Sequence, residues 1–203
     1  MPETLSSTER LEAFLREHGG FVRLEDLRQQ GIDRRNLYAL AEEGLVERVG
    51  QGLYRSTDVE LCPPDDLAEA AIAVPHGVVC LTSALVYHDL TDENPSVLHM
   101  AVEGKRWGPR VISPPVKFHY FSGKAFSAGI EEVQLDGVPV RVYSVEKTLA
   151  DCLKYRHKLP PGVPQAALRD YVRRRKLYAD QLLHYARICR VEPLLRLYME
   201  VLL

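Results

Sequence analysis

The sequence predicts an α+β protein with two domains, and three features of the chain support this prediction. Apolar residues recur at helical spacing in the first 43 residues, and a short two-stranded pattern follows. Segments of β type, rich in valine, phenylalanine and tyrosine, lie between residues 97 and 143. Helical periodicity returns at Ser144 and continues to the C-terminus. Because these strands precede the helices instead of alternating with them, we expect a small, mainly antiparallel sheet followed by helices in the second domain.

The composition is that of an ordinary globular protein, with 46% hydrophobic and 27% charged residues among 203. No run approaches the roughly 18 apolar residues of a membrane span, and the N-terminus has no signal-peptide pattern. The cysteines form no CxxC pair, which argues against structural zinc and a disulfide framework; they are Cys62, Cys80, Cys152 and Cys189. We therefore expect a cytoplasmic protein with buried free thiols, no metal, no cofactor and no membrane partner.

The first 31 residues predict two helices joined by an extended link. Ser6 and Glu9 have the spacing of a capping box, and the helix that they begin ends at Gly19-Gly20. Residues 21–22 form an extended segment of the kind that often lies against a β-ribbon. A second short helix is expected over residues 24–30.

The stretch from Asp33 to Arg55 predicts a helix, a glycine stop and a tight ribbon. Asp33 is a good N-cap, Gly44 follows the last apolar position, and Gly-Gln-Gly joins strands at 45–49 and 53–55. Three helices with a short turn between the second and third, followed by a ribbon, are the order of a winged helix-turn-helix. The expected core residues are Leu11, Phe14, Leu15, Leu24, Leu27, Ile32, Leu37, Leu40, Leu45, Val49 and Leu53.

A polar segment with two adjacent prolines, residues 57–66, indicates the domain boundary. We expect a winged-helix domain at residues 1–58 and an α+β domain at residues 59–203. Before the sheet we expect two helices, one after Pro64 and one that begins near Ser83. The strands are expected at 97–102, 116–121, 130–135 and 138–143. Four later helices are expected: one from 144, one over 165–175, one from 179 and one from 193 to the C-terminus.

The third helix of a winged helix-turn-helix enters the major groove, where arginine and asparagine side chains read base edges. The polar side of the predicted third helix carries such residues near its first turn. The candidate DNA contacts on the second helix, the third helix and the ribbon are Arg23, Arg34, Arg35, Asn36, Tyr38, Arg48 and Arg55. Residues 1–58 carry eight basic and eleven acidic side chains, so DNA contact has to come from a local basic face.

A purely structural role for this helix and ribbon is the alternative. Many small helix–strand–strand units are scaffold, and Glu42 and Glu43 on the helix would repel phosphates. Arg48 is explained equally well as a solvated strand residue, and Tyr54 is expected in the core or at its rim.

A second group of basic residues lies in the predicted C-terminal helices, where acidic residues are sparse. Its members are Lys147, Lys154, Arg156, His157, Lys158, Arg169, Arg173, Arg174, Arg175 and Lys176. One interpretation is that these charges complement helix dipoles at two C-terminal ends. The other is a docking surface for an acidic protein or for nucleic acid.

A nuclease-like pattern occurs near the first predicted strand of the sheet. Glu103-Gly104-Lys105 follows that strand, and Asp89 and Asp92 lie upstream. Some metal-dependent nucleases hold magnesium and a water molecule with such residues, although E-x-K is a common triplet. The chain has no Gly-rich phosphate loop, nucleophile elbow or HExxH motif, so we predict no catalytic residues and no enzymatic activity.

Three segments of the chain together carry a family resemblance. The first is the winged helix that ends in residues 44–54, GLVERVGQGLY. The second is LTSAL at residues 81–85, followed by Tyr87-His88. The third is SVEKTLADC at residues 144–152, continued by Lys154-Tyr155-Arg156. In this order, and over nearly the whole chain, they resemble AbiEi-type antitoxins of type IV toxin–antitoxin systems.

This resemblance implies a transcriptional autorepressor whose N-terminal domain binds inverted repeats in the promoter of its own operon. It implies that the C-terminal domain carries antitoxic activity and part of the repression, and that the toxin is a nucleotidyltransferase. Arg34, Arg35 and Asn36 would then be the base readers of double-stranded operator DNA. Two alternatives stay open: a stand-alone winged-helix transcription factor that senses a small molecule or protein, and a metal-dependent nuclease that uses Asp89, Glu103 and Lys105.

Overall fold

The computed structural model describes residues 7–17, 20–50, 52–57, 66–104, 114–135, 138–174 and 178–202. Its contacts divide the chain into two compact units. The first holds the described residues up to Pro75, together with Pro114 and short stretches within 134–139, and the second holds the other described residues from His76 onward. The domain boundary expected at residue 58 lies outside the described residues.

The first unit has the element order predicted for a winged helix-turn-helix. Its elements are α1 (Ser7–Glu17), β1 (Phe21–Arg23), α2 (Leu24–Gln29), α3 (Arg34–Glu42), β2 (Val46–Gly50), β3 (Leu53–Ser56) and α4 (Asp66–Ala73). The strands form a three-stranded sheet in the order β1-β3-β2, with antiparallel pairing on both sides of β3. The expected position of residues 21–22 against the ribbon is therefore confirmed.

The core of the first unit differs from the predicted core at the start of the ribbon. Leu45 is 42% exposed, whereas Val46 is buried. Gly44 has a left-handed backbone (φ +74°), and the Leu45 backbone N–H donates to the Leu40 carbonyl oxygen, so residue 45 still belongs to the helix end. The strand therefore begins one residue later than predicted, and the inward position passes to Val46. The Val49 side chain lies outside the described part of the chain.

The elements that follow form the predicted α+β arrangement. They are β4 (Val78–Val79), α5 (Leu81–Tyr87), β5 (Leu98–Glu103), β6 (Val116–Phe121), α6 (Lys124–Ser127), β7 (Ile130–Leu135), β8 (Val138–Tyr143), α7 (Val145–Lys154), a 3-10 turn (Arg156–Lys158), α8 (Val163–Arg174), α9 (Ala179–Cys189) and α10 (Glu192–Leu202). None of the helices in the described ranges is long and apolar enough to cross a membrane. Cys80, Cys152 and Cys189 are buried free thiols, as predicted.

The larger sheet is mixed, so the prediction of a mainly antiparallel sheet is wrong. Its strand order is β6-β5-β4-β8-β7; β5 pairs with β6 in parallel, β4 pairs with β8 in parallel, and β4 pairs with β5 antiparallel. The central strand β4 has only two residues, and the sequence predicted no strand there. Strand order could not be predicted because alternation along one strand does not encode which strand lies beside it.

Lys147 was expected on a basic surface, but it lies fully buried inside the second unit. Its ammonium group pairs with the Asp151 carboxylate one helical turn further along α7, and it lies 4.1 Å from the centroid of the Tyr143 ring. The Cys189 thiol donates to the other Asp151 oxygen at 3.1 Å. Burial raises the pKa of Asp151, and the Lys147 charge opposes that shift. A Cβ at Gly129 would lie 2.7 Å from Lys147 Cβ, so the lysine stem needs a glycine there.

Replacing Lys147 with methionine should destabilise the fold by about 3–5 kcal/mol, because Asp151 would become a buried carboxylate without a cation. Replacing both partners, Lys147→Met with Asp151→Leu, should restore much of this loss. Urea unfolding of the two variants beside the parent protein measures both effects. A loss below about 1 kcal/mol for the single variant, the value typical of an exposed pair, would contradict this assignment.

Two histidines lie side by side on neighbouring strands of the second unit, His119 buried and His99 half-buried. The His119 side chain on β6 is 6% exposed, and its ring centroid lies 5.0 Å from that of His99 on β5. Burial lowers the pKa of His119 to about 4, and the charges of His99, Lys117 and Lys158 act in the same direction. The folded protein therefore holds His119 neutral at pH values where an unfolded chain binds a proton.

The stability contributed by neutral His119 should be complete above the ordinary histidine pKa of 6.5 and should fall as the pH drops toward 4. Between pH 7 and pH 5 we expect a loss of about 2 kcal/mol from this residue. Urea unfolding at both pH values should show a smaller pH-dependent loss for His119→Gln than for the parent. An equal loss in the two proteins would show that other groups cause the acid sensitivity.

Candidate nucleic-acid interface

Helix α3 is positioned by its cap and by two leucines. The Asp33 carboxylate accepts a hydrogen bond from the Arg35 backbone N–H at 2.9 Å, which confirms the predicted N-cap. Leu37 and Leu40 are buried in the core of the first unit. Because one side of the helix faces this core, the opposite side faces solvent.

The first turn of α3 presents the candidate base readers. Arg34 and Arg35 are both exposed, and Asn36 is half-buried. The Arg35 side chain is 89% exposed, and its Nε lies 3.9 Å from an Asp33 carboxylate oxygen. A pair so exposed contributes little energy, so it leaves the Arg35 guanidinium available to a ligand.

Acidic residues occupy the other end of the same helix. Glu42 and Glu43 are exposed where α3 ends. Glu42 lies eight positions after Arg34, which corresponds to about 12 Å along the helix axis. The basic and acidic side chains are therefore segregated, and only the N-terminal end of α3 suits an approach to phosphates or base edges.

The ribbon places an arginine and a tyrosine beside a tyrosine of α3. Arg48 on β2 is exposed and lies directly opposite Tyr54 on β3. The Tyr54 ring is buried, as expected, and its centroid lies 6.3 Å from that of Tyr38 on α3, which is 41% exposed. Tyr38, Tyr54 and Arg48 therefore form a connected row from the helix to the ribbon.

The two remaining candidates have carboxylate partners. The Arg23 guanidinium lies 3.4 Å from Glu25, and its backbone N–H donates to Asp26. The Arg55 guanidinium contacts Glu47 at 2.5 Å and Glu69 at 2.5 Å. The hydrogen bond to Glu47 is the largest cause that raises the pKa of Arg55. Arg55 is thus satisfied within the protein, unlike the arginines at the start of α3.

Sequence reasoning missed Glu69 as a partner of the ribbon. Glu69 is buried on α4 between Ala68 and Ala70, which are also buried. An acidic residue inside a run of small apolar residues is the signal that indicates a buried carboxylate, and a buried carboxylate requires a cation. The sequence alone gives no indication of which cation that is.

The basic residues of the second unit are only partly brought together. Lys154 Nζ and Lys158 Nζ lie 5.8 Å and 5.4 Å from the centroid of the Tyr155 ring. Arg169 and Arg173 are exposed on α8. The partners of the others differ: Arg156 donates to the Leu153 carbonyl oxygen, Arg174 pairs with Asp170 and Asp89, and Arg175 and Lys176 lie outside the described residues.

The nuclease hypothesis gains no support from the residues that carry it. Asp89 pairs with Arg174 at 3.3 Å, Glu103 is exposed, and Lys105 lies outside the described residues. No group of three or more histidine, cysteine or acidic side chains in the described ranges could hold a metal ion.

A comparison with protein families finds a match within the first unit. Residues 9–57 match a family described as transcriptional regulator, AbiEi antitoxin. The match begins within α1 and extends past the end of β3; it confirms the predicted resemblance over that segment and supports an antitoxin and regulator role. It ends before α4. No match to the chain was found among curated proteins.

Proposed function

We propose that this protein is a DNA-binding antitoxin that represses transcription of its own operon. The observation that carries the proposal is the exposed, basic first turn of α3, with Arg34 and Arg35, within an AbiEi-type winged helix. The ligand is double-stranded operator DNA, organised as inverted repeats. The toxin that it counteracts is a nucleotidyltransferase, and both proteins act in the cytoplasm.

The proposed roles follow from the chemistry of each side chain. Arg34 and Arg35 donate to guanine edges or to phosphates, and Asn36 suits adenine. Arg48 on the ribbon suits a phosphate next to the groove. The segregation of charge along α3 favours entry by its N-terminal end, because Glu42 would then stay away from the DNA backbone.

The charge balance of residues 1–58 favours specific over general DNA binding. Eight basic and eleven acidic residues within positions 1–58 give little long-range attraction to a polyanion. Affinity must therefore come from a few well-placed contacts. We expect a shallow dependence of affinity on salt, since few phosphate contacts are made.

A gel-shift titration with the DNA upstream of the gene, against random DNA at the same salt, tests the proposal. A preference of about a thousandfold or more for the upstream DNA is expected of a specific regulator. Equal affinity for both DNAs, or no binding to either, would exclude sequence-specific repression by this protein.

Replacing Arg35 with alanine should weaken binding to the upstream DNA by about 1–3 kcal/mol and should relax the choice of sequence. Arg16→Ala is a matched control, because that side chain is 82% exposed and lies on α1, not on α3 or the β2–β3 ribbon. Its affinity should equal that of the parent. If Arg35→Ala weakens binding to random DNA by the same factor, Arg35 contacts only phosphate.

Neutralising the exposed arginines of α8, with Arg169→Gln and Arg173→Gln together, should impair toxin neutralisation or retention on DNA without unfolding the protein. The control changes Arg187 and Arg196 to glutamine, which removes the same charge from α9 and α10. It also removes their ion pairs with Glu192, so urea unfolding checks that the control variant is folded. Growth rescue in cells that express the toxin, with gel shifts in parallel, provides the readout. If the α8 variant matches the parent in both assays, its arginines are only solvated.

A further inference from the structure

Arg55 connects three elements of the first unit. It lies on β3, directly opposite Glu47 on β2. Its guanidinium donates to one Glu47 oxygen from Nη2 and Nε, at 2.5 Å and 3.1 Å, and to Glu69 on α4 from Nη1, at 2.5 Å. One side chain therefore joins both strands of the ribbon to α4, a helix that lies beyond the segment matched to the AbiEi family.

Glu69 depends on this arginine because of its surroundings. It is buried, and so are its neighbours Ala68 and Ala70. Burial raises the pKa of Glu69, the Arg55 charge opposes that shift, and the charges of Asp66 and Glu47 reinforce it. Without Arg55, the carboxylate would keep the cost of burial and lose its cation.

The charges around Arg55 also make it a poor site for DNA. Two carboxylates already contact the guanidinium, so the group as a whole is negative. A phosphate that approached Arg55 would meet Glu47, which is 49% exposed. Three of the five guanidinium N–H donors of Arg55 already bond to carboxylates, so few remain for a phosphate.

We infer that Arg55 and Glu69 hold the β2–β3 ribbon on α4, and that Arg55 serves DNA binding by fixing the position of the ribbon and not by touching DNA. This inference rests on the proposed function. It makes Arg55 and Glu69 positioning residues and brings α4 into the DNA-binding unit.

The pairing of β2 with β3 shows how the Arg55–Glu69 ion pair affects the proposed DNA interface. Arg55 follows Tyr54 on β3, and Tyr54 lies opposite Arg48 and against the Tyr38 ring on α3. A shift of β3 therefore displaces Arg48 and changes the packing at α3.

The test compares Arg55→Gln, Glu69→Gln and the double variant by gel shift on the upstream DNA at several salt concentrations. The positioning role predicts that each single variant weakens binding about tenfold, and that the double variant is no weaker than either one. The slope of affinity against salt should stay unchanged, because no phosphate contact is lost.

Direct contact between Arg55 and DNA predicts the opposite pattern. Glu69→Gln would then leave affinity unchanged or raise it, because the arginine would be released. Arg55→Gln would lower the salt slope by about one. Either result overturns the inference. Arg55→Lys adds an independent test, since it keeps the charge but loses the two-armed geometry: the positioning role predicts weaker binding, and a phosphate contact predicts retained binding.

Controls separate this inference from the proposed function. Glu47→Gln removes the exposed carboxylate from the same guanidinium and should have a much smaller effect than Glu69→Gln. If the parent protein binds no DNA, the proposed function fails. The Arg55–Glu69 ion pair is then tested by urea unfolding of the same variants. Non-additive losses in the free energy of unfolding support the pair, and additive losses overturn it.

Discussion

The burial of Leu37 and Leu40 is the constraint on which the proposed interface depends. A helix has one rotation that places such a stripe in the core, and this rotation turns the side with Arg34 and Arg35 toward solvent. The Asp33 cap determines where the helix begins and therefore which residues form its first turn. The arginines are exposed to a DNA ligand because Leu37 and Leu40, on the opposite side of α3, are buried in the core.

Two ion pairs show how burial changes the role of a charged residue. Lys147 belongs, by its position in the sequence, to a basic cluster, yet it is buried against Asp151. Arg55 lies on the ribbon, where a DNA contact is natural, yet three of its five N–H donors bond to Glu47 and Glu69. In each case one partner, Asp151 or Glu69, is an acid in a run of otherwise buried residues. Charge counted along the chain therefore overstates the charge that a ligand meets.

The sequence predicted local structure well because its signals are local. The N-cap at Asp33, the glycine stop at Gly44 and the alternating strands of the β7–β8 pair all act within a few residues. The start of the ribbon was misplaced by one residue, since Leu45 completes the helix end before the strand begins. Such boundaries depend on hydrogen bonds that hydrophobic periodicity does not record.

By itself the sequence determined the α+β class, the winged-helix order, the stripe that orients α3 and the resemblance that the match at residues 9–57 confirmed. Tertiary structure alone decided the mixed order of the larger sheet, the burial of Lys147 and the pairing of Arg55 with Glu69. The physical reason is the sequence separation over which each interaction acts. Periodicity and caps join neighbours in sequence, whereas strand order and buried charge depend on residues that meet only after the chain has folded.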